Sequence, residues 1–144
     1  MNELLGILEE ERLMMNELVQ SATEQQNALI LLKAEDLERI AAHQSELLAA
    51  LQQKEISRWK YIGAQLGISA KEASQVALSS LYPFLGMNSY EDFRTLQADL
   101  SALLSEWQSL NSTNRVLAFR ARTSVKEILS FFSESDTRVC NVVV

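Results

Sequence analysis

The stretch FRTLQADLSALLSEWQSLNSTNRVLAFRARTSVKEILSFF, residues 93–132, decides how this chain folds. Phe93, Leu96, Leu100, Leu103, Trp107, Leu110, Asn114, Leu117, Ala121, Ser124, Ile128 and Phe131 recur at alternating steps of three and four residues. That rhythm keeps one narrow stripe on one side of an α-helix, the a/d seam of coiled-coil packing. No Gly or Pro interrupts it. Ser89 with Asp92 has N-capping character, so the spacing predicts a helix over 90–132. At 1.5 Å per residue it would be ~60 Å long. A helix of that length needs a partner along its apolar stripe.

Two further stripes upstream supply partners. Leu4, Leu8, Met15, Leu18, Ala22, Leu29 and Leu32 follow the same rhythm once Glu11 and Gln25 are counted in it, which predicts a first helix over 2–33. Leu37, Ile40, Gln44, Leu47 and Leu51, widened by Ala41, Leu48, Ile62 and Leu66, predict a second over 36–66 with Asp36 as its N-cap. The join at Lys33–Asp36 contains neither Gly nor Pro, so a tight turn and a continuous helix are both open, and the turn is favoured. Gly67 suits the left-handed residue that closes a helix. Ser69 and Glu72 have capping-box spacing, and a short helix is expected over 70–81. Pro83 then breaks the pattern. The stretch Tyr82–Tyr90 clusters aromatic residues and reads either as a loop folded over one end of the bundle or as a binding hot spot.

The resulting expectation is all-α: an elongated antiparallel helical bundle of long coiled-coil-like helices, forming one domain over residues 1–132. Residues 133–144, opening with Ser133-Glu134-Ser135-Asp136, are expected to form a flexible tail. Four Gly and one Pro are too few for a fold rich in hairpins. A 47% hydrophobic content is enough to build a core.

Charge and composition exclude several functions. The net charge of −6 does not suit a nucleic-acid scaffold, which must neutralise phosphates with Lys and Arg. Cys140 is the sole cysteine, so no internal disulfide and no CxxC site can form, and a reducing compartment is expected. The start has no basic n-region and the densest apolar run, Ala28–Leu32, falls far short of the ~20 residues that span a bilayer, so the expected location is the cytoplasm. His43 is the single histidine, with neither a nucleophile nor a second ligand beside it. There is no phosphate loop and no nucleophile elbow. Glu9-Glu10-Glu11 point to different helix faces and are expected to form a solvated acidic surface rather than a cation site. The chain is therefore expected to be neither an enzyme nor a carrier of a cofactor or metal.

The informative positions lie in the last helix. Asn114 occupies a seam position between Leu110 and Leu117, with Asn111 close by. A seam Asn can set helix register, or it can mark an open stretch where a partner docks. From Leu117 through Ala118, Ala121, Val125, Ile128, Leu129, Phe131 and Phe132 the apolar arc widens to ~160°. Arg115, Arg122 and Lys126 line one margin. Either the whole arc is intramolecular core with its basic edge toward the acidic first helix, or part of it awaits a partner helix. The candidate partner-binding residues are Asn111, Asn114, Leu117, Ala121, Val125, Ile128, Phe131 and Phe132.

Taken together, Leu4-Leu5, Glu9-Glu10-Glu11, Leu47-Leu48, Leu51-Gln52-Gln53-Lys54-Glu55 and the L-N-x-x-N stretch Leu110-Asn111-Ser112-Thr113-Asn114 resemble the FlgN family of flagellar type III export chaperones over roughly residues 3–132. The resemblance implies an acidic cytosolic helical protein that binds the hook–filament junction proteins FlgK and FlgL by their terminal segments. It implies delivery of those clients to components of the export gate, and client binding toward the C-terminus. Asn111 and Asn114 are the motif positions it carries over. The alternative is a helical coiled-coil adaptor, or another secretion chaperone, acting by homo- or hetero-oligomerisation.

Overall fold

The structure is a computed structural model that describes the backbone of residues 2–143 and the side chains of residues 3–86 and 88–131. Four α-helices follow one another: α1 (Asn2–Ile30), α2 (Ala34–Leu66), the single turn α3 (Ala70–Ala73) and α4 (Met87–Val143), with a 3₁₀ helix over Leu78–Phe84 between the last two. The expected all-α bundle is what the chain forms. Its order is up-down-up. Ion pairs from Glu11 to Arg58 and from Glu24 to Arg39 run α1 antiparallel to α2. Phe93 shares a core with Leu4 and Leu8, and Asn114 bonds to Ala22, so α4 runs parallel to α1.

The seam residues do the packing. Leu4, Leu8, Met15, Leu18, Ala22 and Leu29 are all buried on α1, as are Ile40, Leu47 and Ile62 on α2. One cluster joins Leu4, Leu8, Ile62, Ala73, Leu81 and Phe93 at the end where α1 begins. A second joins Met15, Leu18 and Leu47, with Leu100, Leu103 and Trp107 against them. Burial at about 25 cal/mol per Å² makes these stripes the main stabilising contribution.

The turn between α1 and α2 is tight and comes earlier than expected. It occupies Leu31–Lys33, so Leu32 leaves the seam and stands exposed. Leu32 takes a left-handed conformation at φ 53°, while the Lys33 N–H bonds to the Ala28 carbonyl and the Leu32 N–H to that of Leu29. This is the paired closure of a Schellman motif, built here on Leu where Gly is usual. Asp36 is not the N-cap of α2. Lys33 holds that position without a side-chain bond, and its carbonyl accepts from the Leu37 N–H.

Gly67 closes α2 in the left-handed conformation, as its sequence context predicts, and the Ile68 N–H reaches back to the Gly63 carbonyl. Gly63 is required for that return. A Cβ there would stand 2.7 Å from the Ile68 carbonyl oxygen, a backbone atom with little room to move. Gly63→Ala is expected to destabilise the protein by roughly 1–3 kcal/mol, seen as a lower urea midpoint with unchanged slope.

The Ser69–Glu72 capping box forms in both directions. The Ser69 backbone N–H donates to the Glu72 carboxylate at 2.8 Å and holds its pKa below the ordinary value. The helix it starts is shorter than the expected 70–81. Gln75 and Val76 donate to carbonyls three residues back, and the Ser74 hydroxyl donates to the Lys71 carbonyl, so the turn tightens and ends. The chain then re-enters as the 3₁₀ helix, which contains Pro83. Tyr82 packs edge-on to Tyr90 and Phe93, and its hydroxyl donates to Gln97. The aromatic stretch is thus a lid over the bundle's end, with Phe84 left exposed.

Helix α4 begins at Met87, with the Gly86 carbonyl accepting from Ser89 and Tyr90, so Ser89 lies inside the first turn rather than capping it. It also continues past the expected end at Phe132, through the polar Ser133–Asp136 stretch, to Val143. Polar residues alone do not stop a helix, and nothing after Gly86 is Gly or Pro. The side chain of Phe132 and the flexibility expected of residues 133–144 lie outside the described residues.

Candidate interaction surface

Helix α4 has two parts with different surroundings. Up to about Ala121 it lies along α1. Asn114 pairs with Ala22 and Gln25, residues 92 and 89 positions earlier. That register brings the end of α1, Ile30, level with about Arg120. From Arg122 to Phe131 every described residue of α4 is exposed.

The candidate residues divide along this line. Asn114 is only 3% exposed. Its Nδ2 donates to the Ala22 carbonyl at 2.9 Å and to Gln25 Oε1 at 3.2 Å. Gln25 in turn accepts from Gln44 of α2, so one amide chain ties the three long helices at a single level. This is the register-setting arrangement, and it takes Asn114 off the accessible surface. Asn111, Leu117 and Ala121 are half-buried at the margin of the seam. Val125, Ile128 and Phe131 stand 46%, 54% and 66% exposed, and Ala118 and Leu129 join them outside. Whole-arc burial as intramolecular core is therefore not what the described residues show.

The basic margin also stands outside. Arg115, Arg120, Arg122 and Lys126 are exposed, with Glu127 the acid among them. Val116 and Phe119 are exposed too, as are Ile30, Leu31 and Leu32 in the turn at this end of the bundle. Exposed apolar patches of this kind mark interaction sites when they are contiguous and edged by charge. A helix with an open apolar stripe and one cationic edge can take a second amphipathic helix alongside it. Seam spacing does not predict the exposed turn, because it places Leu32 in the stripe. Its signal was the unbroken run Leu29–Leu32, longer than a seam needs.

The acidic run on α1 departs from expectation. Glu9 pairs with Arg12 and Glu10 with Lys54 at the surface. Glu11 is not solvated: its side chain is 2% exposed and bonds to Arg58 Nη1 at 2.6 Å through Oε2, while Oε1 has no partner. Removal from water pushes its pKa up to about 7; Arg58 pulls it down, and the neighbouring Glu55 raises it further. Among the described residues, no group of three or more His, Cys, Asp or Glu could hold a metal ion, and His43 is exposed. Nor is any described helix long and apolar enough to cross a membrane.

The described residues form a three-helix bundle whose last helix continues as an exposed, basic-edged extension. Residues 1–141 match the FlgN family, described as FlgN protein, and the chain belongs to that family of flagellar export chaperones. No curated protein and no solved structure matches the chain.

Proposed function

We propose that this chaperone holds the terminal segments of the hook–filament junction proteins FlgK and FlgL in the cytoplasm and delivers them to the export gate. The observation that carries this reading is the apolar stripe Val125–Ile128–Leu129, exposed on a stretch of α4 that lies, among the described residues, beyond the end of α1. A client's amphipathic terminal helix would lie along that stripe. Its apolar face, which otherwise drives assembly with other subunits, would then be buried. Affinity would come from apolar burial at ~25 cal/mol per Å², reduced by the ordering of the client segment. Arg115, Arg122 and Lys126 would set the client's orientation more than its affinity.

Calorimetric titration of the FlgK and FlgL C-terminal segments into the purified protein tests this reading. Saturable binding with a negative heat-capacity change is expected, because burial of apolar surface has that sign. A well-folded protein that binds neither segment would remove FlgK and FlgL as clients.

A further inference from the structure

The apolar seam of α4 outlasts the helix that covers it. Asn114 meets α1 at Ala22 and Gln25, so α1, which ends at Ile30, runs out near Arg120. Helix α2 does not pass that level either, because it starts at Ala34 and runs back along α1. Ile128 stands two heptads beyond Asn114 and one beyond Ala121, in the same line of the seam, yet it is exposed. Where α1 stops, Ile30 and Leu32 are exposed as well. Ile30 is five helical turns on from Arg12 and so shares its flank of α1, the flank set against Asp99 of α4. Leu32 closes α1 at φ 53°. That conformation brings a Cβ against the following carbonyl, a clash that Gly avoids.

We propose that the client helix prolongs α1: it lies on α4 from Ala121 to Ile128 in the line of α1, with one end resting on Ile30 and Leu32. This placement depends on the bare stripe of α4 being the client site, and adds the axis, the stop and the charge of the partner. The existing seam selects the axis. Leu117 and Ala121 are half-buried at its margin and Val125 and Ile128 continue it, so a helix seated there meets the same a/d rhythm that α1 packs on. The end of α1 selects the stop, since a helix in that line can slide no further. Charge selects the partner's edge. Arg122 and Lys126 are exposed, one turn apart, on the Val125 and Leu129 side of the stripe, and Glu127 lies about 100° round from Lys126. The partner is therefore an amphipathic helix with apolar residues at heptad spacing and carboxylates along one edge. Leu32 presents to its end an apolar side chain that a closing Gly would lack.

Calorimetric titration of the FlgK and FlgL C-terminal segments into the full chain, parent and variants, tests the placement. Leu32→Gly should melt no lower than the parent, because Gly removes the left-handed clash, and should still bind about tenfold more weakly. A residue that served only to close α1 would leave affinity unchanged. Ile30→Glu, at an exposed position, should keep the parent's helicity by circular dichroism and weaken binding at least as much. Binding to the parent should weaken as salt rises, and Arg122→Glu should remove most of that dependence. Segments that bind the parent, yet bind Leu32→Gly or Ile30→Glu at parent strength, overturn the placement and leave the client site on α4 standing. Binding that salt does not weaken overturns the acidic edge. A parent that binds neither segment removes the client reading, and this one with it.

Discussion

Ile128→Asp is expected to abolish binding of the FlgK and FlgL segments while leaving the bundle intact. The side chain is 54% exposed and lies beyond the level at which α1 ends, so no described core contact depends on it. A carboxylate there would be stripped of water by a client helix with no cation assigned to receive it. Truncating a hot-spot residue weakens binding by about 2 kcal/mol or more, and an uncompensated buried charge is worse. Calorimetry should therefore show at least ~30-fold weaker binding, with far-ultraviolet ellipticity and the urea midpoint unchanged. Val125→Asp should behave alike. Phe93→Asp is the contrasting control: Phe93 is fully buried among Leu4, Leu8 and Ile62, and its loss should unfold the bundle. If Ile128→Asp instead lowers helicity across the chain, the stripe is core. If binding survives at parent strength, the client sits elsewhere.

The second large effect concerns Glu11. Its folded pKa of about 7 stands above the ordinary value of 4.5. Between those two pH values the folded state keeps a proton that the unfolded chain has released. Stability therefore falls as pH rises through that window. The contribution is fully present below pH 4.5 and is lost by about pH 7. The difference is on the order of 3 kcal/mol. Urea unfolding of Glu11→Gln should show that slope removed, with the variant more stable than the parent at pH 8. Arg58→Ala should do the reverse. It leaves the ionised carboxylate buried without its partner, at a loss of about 3 kcal/mol at pH 8. The loss should shrink at pH 5, where Glu11 holds its proton. A parent protein with flat stability from pH 5 to 8 would show that Glu11 is hydrated in solution.

Much of the fold was legible in the sequence because heptad spacing is a local geometric property. Leu4, Leu8, Leu18, Ile40, Leu47 and Phe93 fall into the core wherever the helices cross, since each stripe has one face to bury. Gly67 and the Ser69–Glu72 box were readable for the same reason: each acts within one turn of its own backbone. Helix ends were less legible. Leu32 adopts a left-handed turn without Gly, and α4 passes through a polar stretch without stopping. The first shows only as the unbroken apolar run Leu29–Leu32, and the second leaves no mark that composition can show.

The sequence by itself determined that this chain is three long amphipathic helices with a capped corner, because periodicity and caps are written within a few residues of where they act. Only the tertiary structure decided which parts of the stripes have a partner. It sank Glu11 and Asn114 into the seam, opened a cleft between α2 and α4, and left Val125 and Ile128 bare where α1 runs out. Those outcomes depend on relative helix length and register, set by contacts between residues some 90 positions apart, which no local pattern encodes.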